Sequence, residues 1–153
     1  METAYRIALA LHIAGGMTAL FTGLFAIIAE KGKRLHRITG RIYFWSMLLT
    51  CASSLYISIT KQNLFLLHIG LFSLYMVYSG YRSIQNKTLH PSPLDWIMLL
   101  MAGLNGIFMI YSLKIILMVF GGIGIWLAFN DLKIFIKLIK SQSVPKYAWL
   151  TRH

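Results

Sequence analysis

From Ile7 to Ala29 the chain runs without a single Asp, Glu, Lys or Arg. A bilayer whose hydrocarbon core is about 30 Å thick needs roughly 20 apolar residues as helix to cross it, and this stretch is long enough. Four further stretches qualify: residues 42–60, 64–81, 94–111 and 115–129. The second opens on the interfacial aromatics Tyr43, Phe44 and Trp45, and the fourth follows the helix-start signal Pro91-Ser92-Pro93, with Asp95 placed to favour the positive end of the helix dipole. The pattern predicts an all-α, polytopic transmembrane bundle of about five spans, forming a single domain over residues 1–153.

Composition supports lipid as the solvent. Apolar residues make up 58% of the chain and charged residues 12%, whereas soluble domains are nearer 45 to 50% apolar and about a quarter charged. A water-soluble domain of this size has no core large enough to hide that surface. The first apolar run is too long for a signal peptide and lacks its basic leader and small-residue cleavage site. It is expected to remain as the first span.

The net charge of +11 arises from 15 Lys and Arg against four acids, and the bases lie between the apolar runs. With the N-terminus outside, the inner segments hold Lys31, Lys33, Arg34, Arg37, Arg41, Arg82, Lys87, Lys133, Lys137, Lys140, Lys146 and Arg152, and the outer segments only Arg6, Lys61 and Lys114. By the positive-inside rule this predicts a cytoplasmic C-terminus, with the bases serving anionic lipid headgroups and no nucleic-acid partner. The short connections at Lys61–Asn63 and Ser112–Lys114 make spans two and three, and spans four and five, antiparallel neighbours. After the fifth span, residues 131–140 read as an inner-surface helix or a continuation of that span. Ser141 to Pro145 then break that helix, and residues 141–153 read as a truncated tail.

Polar residues inside spans are costly and informative. His12 and His68 lie at matching depth on spans one and three, each roughly 8 Å inside the outer end at 1.5 Å per residue. Gly16, Ala19 and Gly23 share the face of His12, leaving room for a flat ligand against the backbone. Phe72, Tyr75 and Ser79 share the face of His68. This arrangement suits a haem b held between two imidazoles, with His12, His68, Gly16 and Tyr75 as its candidate site. It also suits plain helix packing, since Ala19-x-x-x-Gly23 is a small-residue contact signature. Two histidines with no inward Asp, Glu or Cys to complete a set make no protein-only metal site.

In the turn after span one, His36, Arg37, Gly40 and Arg41 share one edge of a helix start. They form a candidate site for an anionic headgroup, a haem propionate or a quinone oxygen. His90, in the other inner loop, is a candidate partner for His36. Asn105 reads as an interhelical hydrogen-bond donor, and Asp95 with Trp96 as an interfacial helix start. The single cysteine, Cys51, excludes an internal disulfide. No nucleophile with its base, paired-carboxylate site or phosphate loop is present.

The run His12-Ile13-Ala14-Gly15, the turn from Lys31 to Tyr43 with its His-Arg-x-x-Gly-Arg-x-Tyr core, Tyr78-Ser79-Gly80-Tyr81-Arg82 and Asp95-Trp96 together resemble a bacterial family of predicted membrane proteins of unknown function, especially its Bacteroidetes-type members. That resemblance implies the membrane fold and a bacterial cytoplasmic-membrane address but no reaction. It also implies that Trp149–His153 approaches a further span, so that the chain is a fragment or a short member. The matched histidines are, more loosely, similar to transmembrane di-haem cytochromes. Two functional expectations follow: a haem b-binding electron-transfer protein working with a quinone or a redox partner, or a cofactor-free scaffold, assembly factor or permease subunit.

Overall fold

Each apolar stretch is a helix in the computed structural model, which describes residues 2–86 and 90–140. Helix α1 spans Glu2–Ile28, α2 Arg34–Thr60, α3 Leu64–Gln85, α4 Pro93–Tyr111 and α5 Ile115–Ile139. All five are long and apolar enough to cross a membrane, and no strand occurs among the described residues. The protein is an all-helical membrane protein with five candidate spans. Residues 131–139 continue α5 without a break. The expected tail over residues 141–153 lies outside the described residues, as does Lys87.

The turns are built by local chemistry. Gly32 takes a φ of 81° between α1 and α2, a backbone shape that costs glycine nothing and other residues a great deal. Asn63 caps α3, its side-chain oxygen accepting from the Leu66 N–H at 3.1 Å. Helix α4 opens on a complete capping box with Pro93 in its first turn. There the Ser92 hydroxyl accepts from the Asp95 N–H at 3.4 Å while an Asp95 oxygen accepts from the Ser92 N–H at 2.7 Å.

The chain forms two units, Met1–Leu74 and Tyr75–His153, divided within α3. In the first, α1 and α2 approach closely because Gly15 has no side chain. A Cβ there would stand 2.8 Å from the Thr50 hydroxyl and 3.2 Å from the Ser46 carbonyl. The buried face of α2 is small and hydroxylic, with Cys51, Ser53, Ser54 and Ser58. Ser53 and Ser58 donate to the carbonyls of Leu49 and Leu55, each at 2.8 Å, so the helix satisfies its own buried hydroxyls. Gly70 of α3 meets Ser54 of α2, where a Cβ would lie 2.9 Å from the serine oxygen.

In the second unit, α4 and α5 pair through two glycines. A Cβ on Gly106 would lie 3.0 Å from the Gly121 carbonyl, and one on Gly121 would lie 2.8 Å from the Gly106 carbonyl. Met109 and Leu117 are fully buried beside them. Lipid offers apolar side chains as good a solvent as a protein core, so close backbone approach supplies association that the hydrophobic effect does not. Large apolar residues such as Ile27, Ile59, Leu104 and Trp126 face outward instead.

Candidate functional site

His12 stands on the half-buried face of α1 toward α2. Its Nδ1 lies 3.1 Å from the Thr50 carbonyl oxygen. A carbonyl only accepts, so Nδ1 carries the proton and donates. The Ser53 hydroxyl stands 3.4 Å from the same nitrogen, while that hydroxyl donates to the carbonyls of Leu49 and Thr50. Among the described residues Nε2 of His12 has no hydrogen-bond partner. In the neutral ring that nitrogen offers a lone pair.

One turn beyond His12 begins a groove of about 410 Å³ between α1 and α2. Gly16, Ala19, Leu20, Gly23, Leu24 and Ile27 line it from α1, and Tyr43 and Met47 from α2. The small face expected to admit a ligand against the backbone of α1 thus forms its floor. Gly23 makes room for the Tyr43 ring, whose carbons would lie 3.1 and 3.2 Å from a Cβ at that position. From Gly16 to Ile27 the groove is roughly 16 Å long at 1.5 Å per residue, and its lining is almost wholly apolar.

The other expected site residues have separate settings. His36, on the α2 face that carries Tyr43 and Met47, donates from Nδ1 to the Ala26 carbonyl at 2.9 Å. It ties the start of α2 to the end of α1, while Arg37 and Arg41 are exposed and Gly40 has open space before its Cα. His68 is half-buried on α3. The hydrogen bonds of His12 run to α2. Tyr75 belongs to the second unit, where its hydroxyl donates to Asp131 at 2.8 Å. His90 is exposed, and its carbonyl accepts from the Asn86 side chain at 2.7 Å. Asn105 is buried, its amide donating to the Met109 sulfur at 3.4 Å.

Two polar clusters go beyond the sequence reading. Asp95 is a buried hub as well as a helix start: it accepts from the Arg82 Nε at 3.1 Å on both oxygens and from the Tyr78 hydroxyl at 2.7 Å. Asp131, at 7% exposure, is an inward acid, where the expectation was that none is present. The available signal was the spacing Tyr75, Tyr78, Ser79 and Arg82, which puts four polar groups on one face of a membrane helix. No group of three or more His, Cys, Asp and Glu capable of holding a metal occurs among the described residues.

Comparison with known families places these features. The family described as predicted membrane protein (DUF2306) matches residues 9–120. The chain belongs to that family. The DUF2306 match takes in His12, the whole groove and the Arg82–Asp95 pair, and ends within α5 before Asp131. No curated protein and no solved structure matches the chain.

Proposed function

We propose that the protein binds a lipid-soluble redox carrier of the quinone class on its α1/α2 face and takes part in electron transfer at a bacterial inner membrane. The observation that carries this reading is His12: an imidazole whose Nδ1 is committed to Thr50, whose Nε2 has no described partner, standing at one end of an apolar groove. A quinol hydroxyl would donate to that nitrogen, and the carrier's apolar tail would lie over Gly16, Ala19 and Gly23. A polar group one helical turn before the first lining residue of an elongated apolar groove fits the head of a linear amphiphile. An axial ligand, in contrast, must stand over the middle of a porphyrin, and His12 lies roughly 14 Å along the helix from the middle of the groove.

The basic turn at the other end, with Arg37 and Arg41 exposed beside His36, serves anionic headgroups. The distribution of bases favours its lying in the cytoplasm, with the C-terminus on the same side. Calorimetric titration of the detergent-purified protein tests the binding. A prenylated quinol analogue should bind, and His12→Ala should weaken it roughly fivefold to tenfold, the worth of one hydrogen bond. Gly23→Leu should weaken the prenylated analogue while sparing a tail-less one. Equal affinity of the parent protein and both variants would remove the quinone reading.

One observation favours haem b as a second reading. An Nδ1–H bonded to a backbone carbonyl is the arrangement by which proteins orient an imidazole for a metal, and His12 has it. Reduced-minus-oxidised absorbance of protein from haem-replete cells decides it: an α-band lost in the double variant His12→Ala, His68→Ala supports ligation, and no band ends it. A chain that binds neither carrier and keeps its fold in both alanine variants is the cofactor-free scaffold, assembly factor or permease subunit.

A further inference from the structure

The chain has four acids, and each is engaged: Glu2 with Arg6, Glu30 with Lys33, Asp95 with Arg82, and Asp131 buried against the Tyr75 hydroxyl. Lys133, Lys137 and Lys140 of α5 are exposed and form no ion pair among the described residues. Their charge is balanced from elsewhere. They also share one side of the helix with an apolar surface. Counted from Gly122, offsets of 4, 7, 11, 15 and 18 give Trp126, Phe129, Lys133, Lys137 and Lys140, the repeat of a single helix face, and all six residues are exposed. The Trp96 ring packs on Phe135, with centroids 5.5 Å apart, so the first turn of α4 is level with this part of α5. Lys137 and Lys140 continue past it, beyond the end of the apolar surface. The Lys133 ammonium stands 4.2 Å from the centre of the Phe129 ring, which joins the cationic and aromatic parts of the face.

We propose that this face of α5 binds an anionic phospholipid, its phosphate held by Lys133, Lys137 and Lys140 and an acyl chain laid over Phe129 and Trp126 toward Gly122. Charge complementarity selects the headgroup: three cations stand together with no acid of the chain to neutralise them, and lysine serves phosphate as a point charge. Depth selects the chain. From Lys133 to Gly122 the helix rises roughly 16 Å at 1.5 Å per residue, about half of a 30 Å hydrocarbon core, which is the depth that one leaflet's chains fill. At that depth a Cβ on Gly122 would meet nothing within 4 Å, so the backbone is open to a methylene chain. An acidic peptide would match the lysines but not the apolar surface below them. A second copy laid face to face in parallel would set three more lysines against these. The site lies in the second unit and stands without the quinone reading.

Quenching of Trp126 fluorescence by lipids brominated in mid-chain tests the site in the full chain. In phosphatidylcholine vesicles carrying a minor share of brominated lipid, the parent should be quenched more by brominated phosphatidylglycerol than by brominated phosphatidylcholine. Trp126→Phe, measured alongside, isolates that residue's part of the signal. The triple variant Lys133→Gln, Lys137→Gln, Lys140→Gln should lose the preference for the anionic lipid, and Lys137→Gln alone should lower it about fivefold, the worth of one base near an anionic surface. Lys114→Gln removes the same charge at the other end of α5 and should leave the preference intact. Equal quenching by the two lipids in the parent, or equal losses from Lys114→Gln and Lys137→Gln, overturns the proposal. Quenching of Trp126 by neither lipid also overturns it, and shows that a second copy or another protein covers the face.

Discussion

At the scale of single residues the fold is governed by where a methyl group cannot go. Gly106 and Gly121 let α4 and α5 touch backbone to backbone, and a Cβ on Gly106 would also come within 2.7 Å of Ile125. Gly106→Val should therefore lower stability in detergent by about 1 to 3 kcal/mol, the usual cost of forcing volume into a filled contact. Gly122 is the internal control, since a Cβ there meets nothing within 4 Å. Gly122→Val should change the thermal midpoint far less, and equal losses at the two positions would show that general glycine effects, not contact, set the cost. The sequence exposes such glycines but not which of them touch, because three glycines clustered in α5 all sit within a turn of one another. Only the partner helix distinguishes Gly121 from Gly122.

At the scale of elements, α3 is the polar member of the second unit, gripping α4 through Tyr78 and Arg82 and α5 through Tyr75 and Ser79. Arg82→Ala strands a carboxylate that is only 5% exposed. Losing one partner of a buried pair costs about 3 to 5 kcal/mol, and the 27% exposure of Arg82 reduces that. A loss of about 2 kcal/mol is the expected result, with Asp95→Asn losing the pair and weakening the cap together. Thermal unfolding of Arg82→Ala, Asp95→Asn and the double variant separates coupling from two independent losses. The five helices were legible from apolar length alone, because a span must run through the whole hydrocarbon core wherever it packs. The Gly16, Ala19 and Gly23 face was legible too, since 3.6-residue periodicity fixes which residues share a side. Tyr43 and Met47, which complete the groove, were not. Neither were the partners of His12 and Asp131: they come from other helices, and the rotation of one span about its axis relative to its neighbour is set by contacts such as Gly15 against Thr50 that no local pattern encodes.

At the scale of the whole molecule, what matters is the bilayer and which way the chain crosses it. Every helix turns large apolar residues outward, and α1 most of all, with Ile27 at 81% exposure. That surface is stable only against hydrocarbon. The turn at Lys31–Arg34 and the turn at Lys61–Asn63 stand at opposite ends of α2, so in a spanning α2 they lie on opposite sides of the membrane. Nine of the 12 bases among the described residues fall on the side of the first turn if α2 runs outward and every helix spans, and the inner leaflet's anionic lipids attract each nearby base by about 1 kcal/mol. Cys51 is the chain's one cysteine and is buried, which makes the direction measurable by labelling. In a Cys51→Ser background, Lys61→Cys should react with a membrane-impermeant maleimide added to intact spheroplasts, and Lys31→Cys should react only after the vesicles are inverted. The reverse pattern would show that the crowding of bases around Arg34, Arg37 and Arg41 serves something other than orientation, and would leave an anionic ligand at the outer face as the force that holds them there.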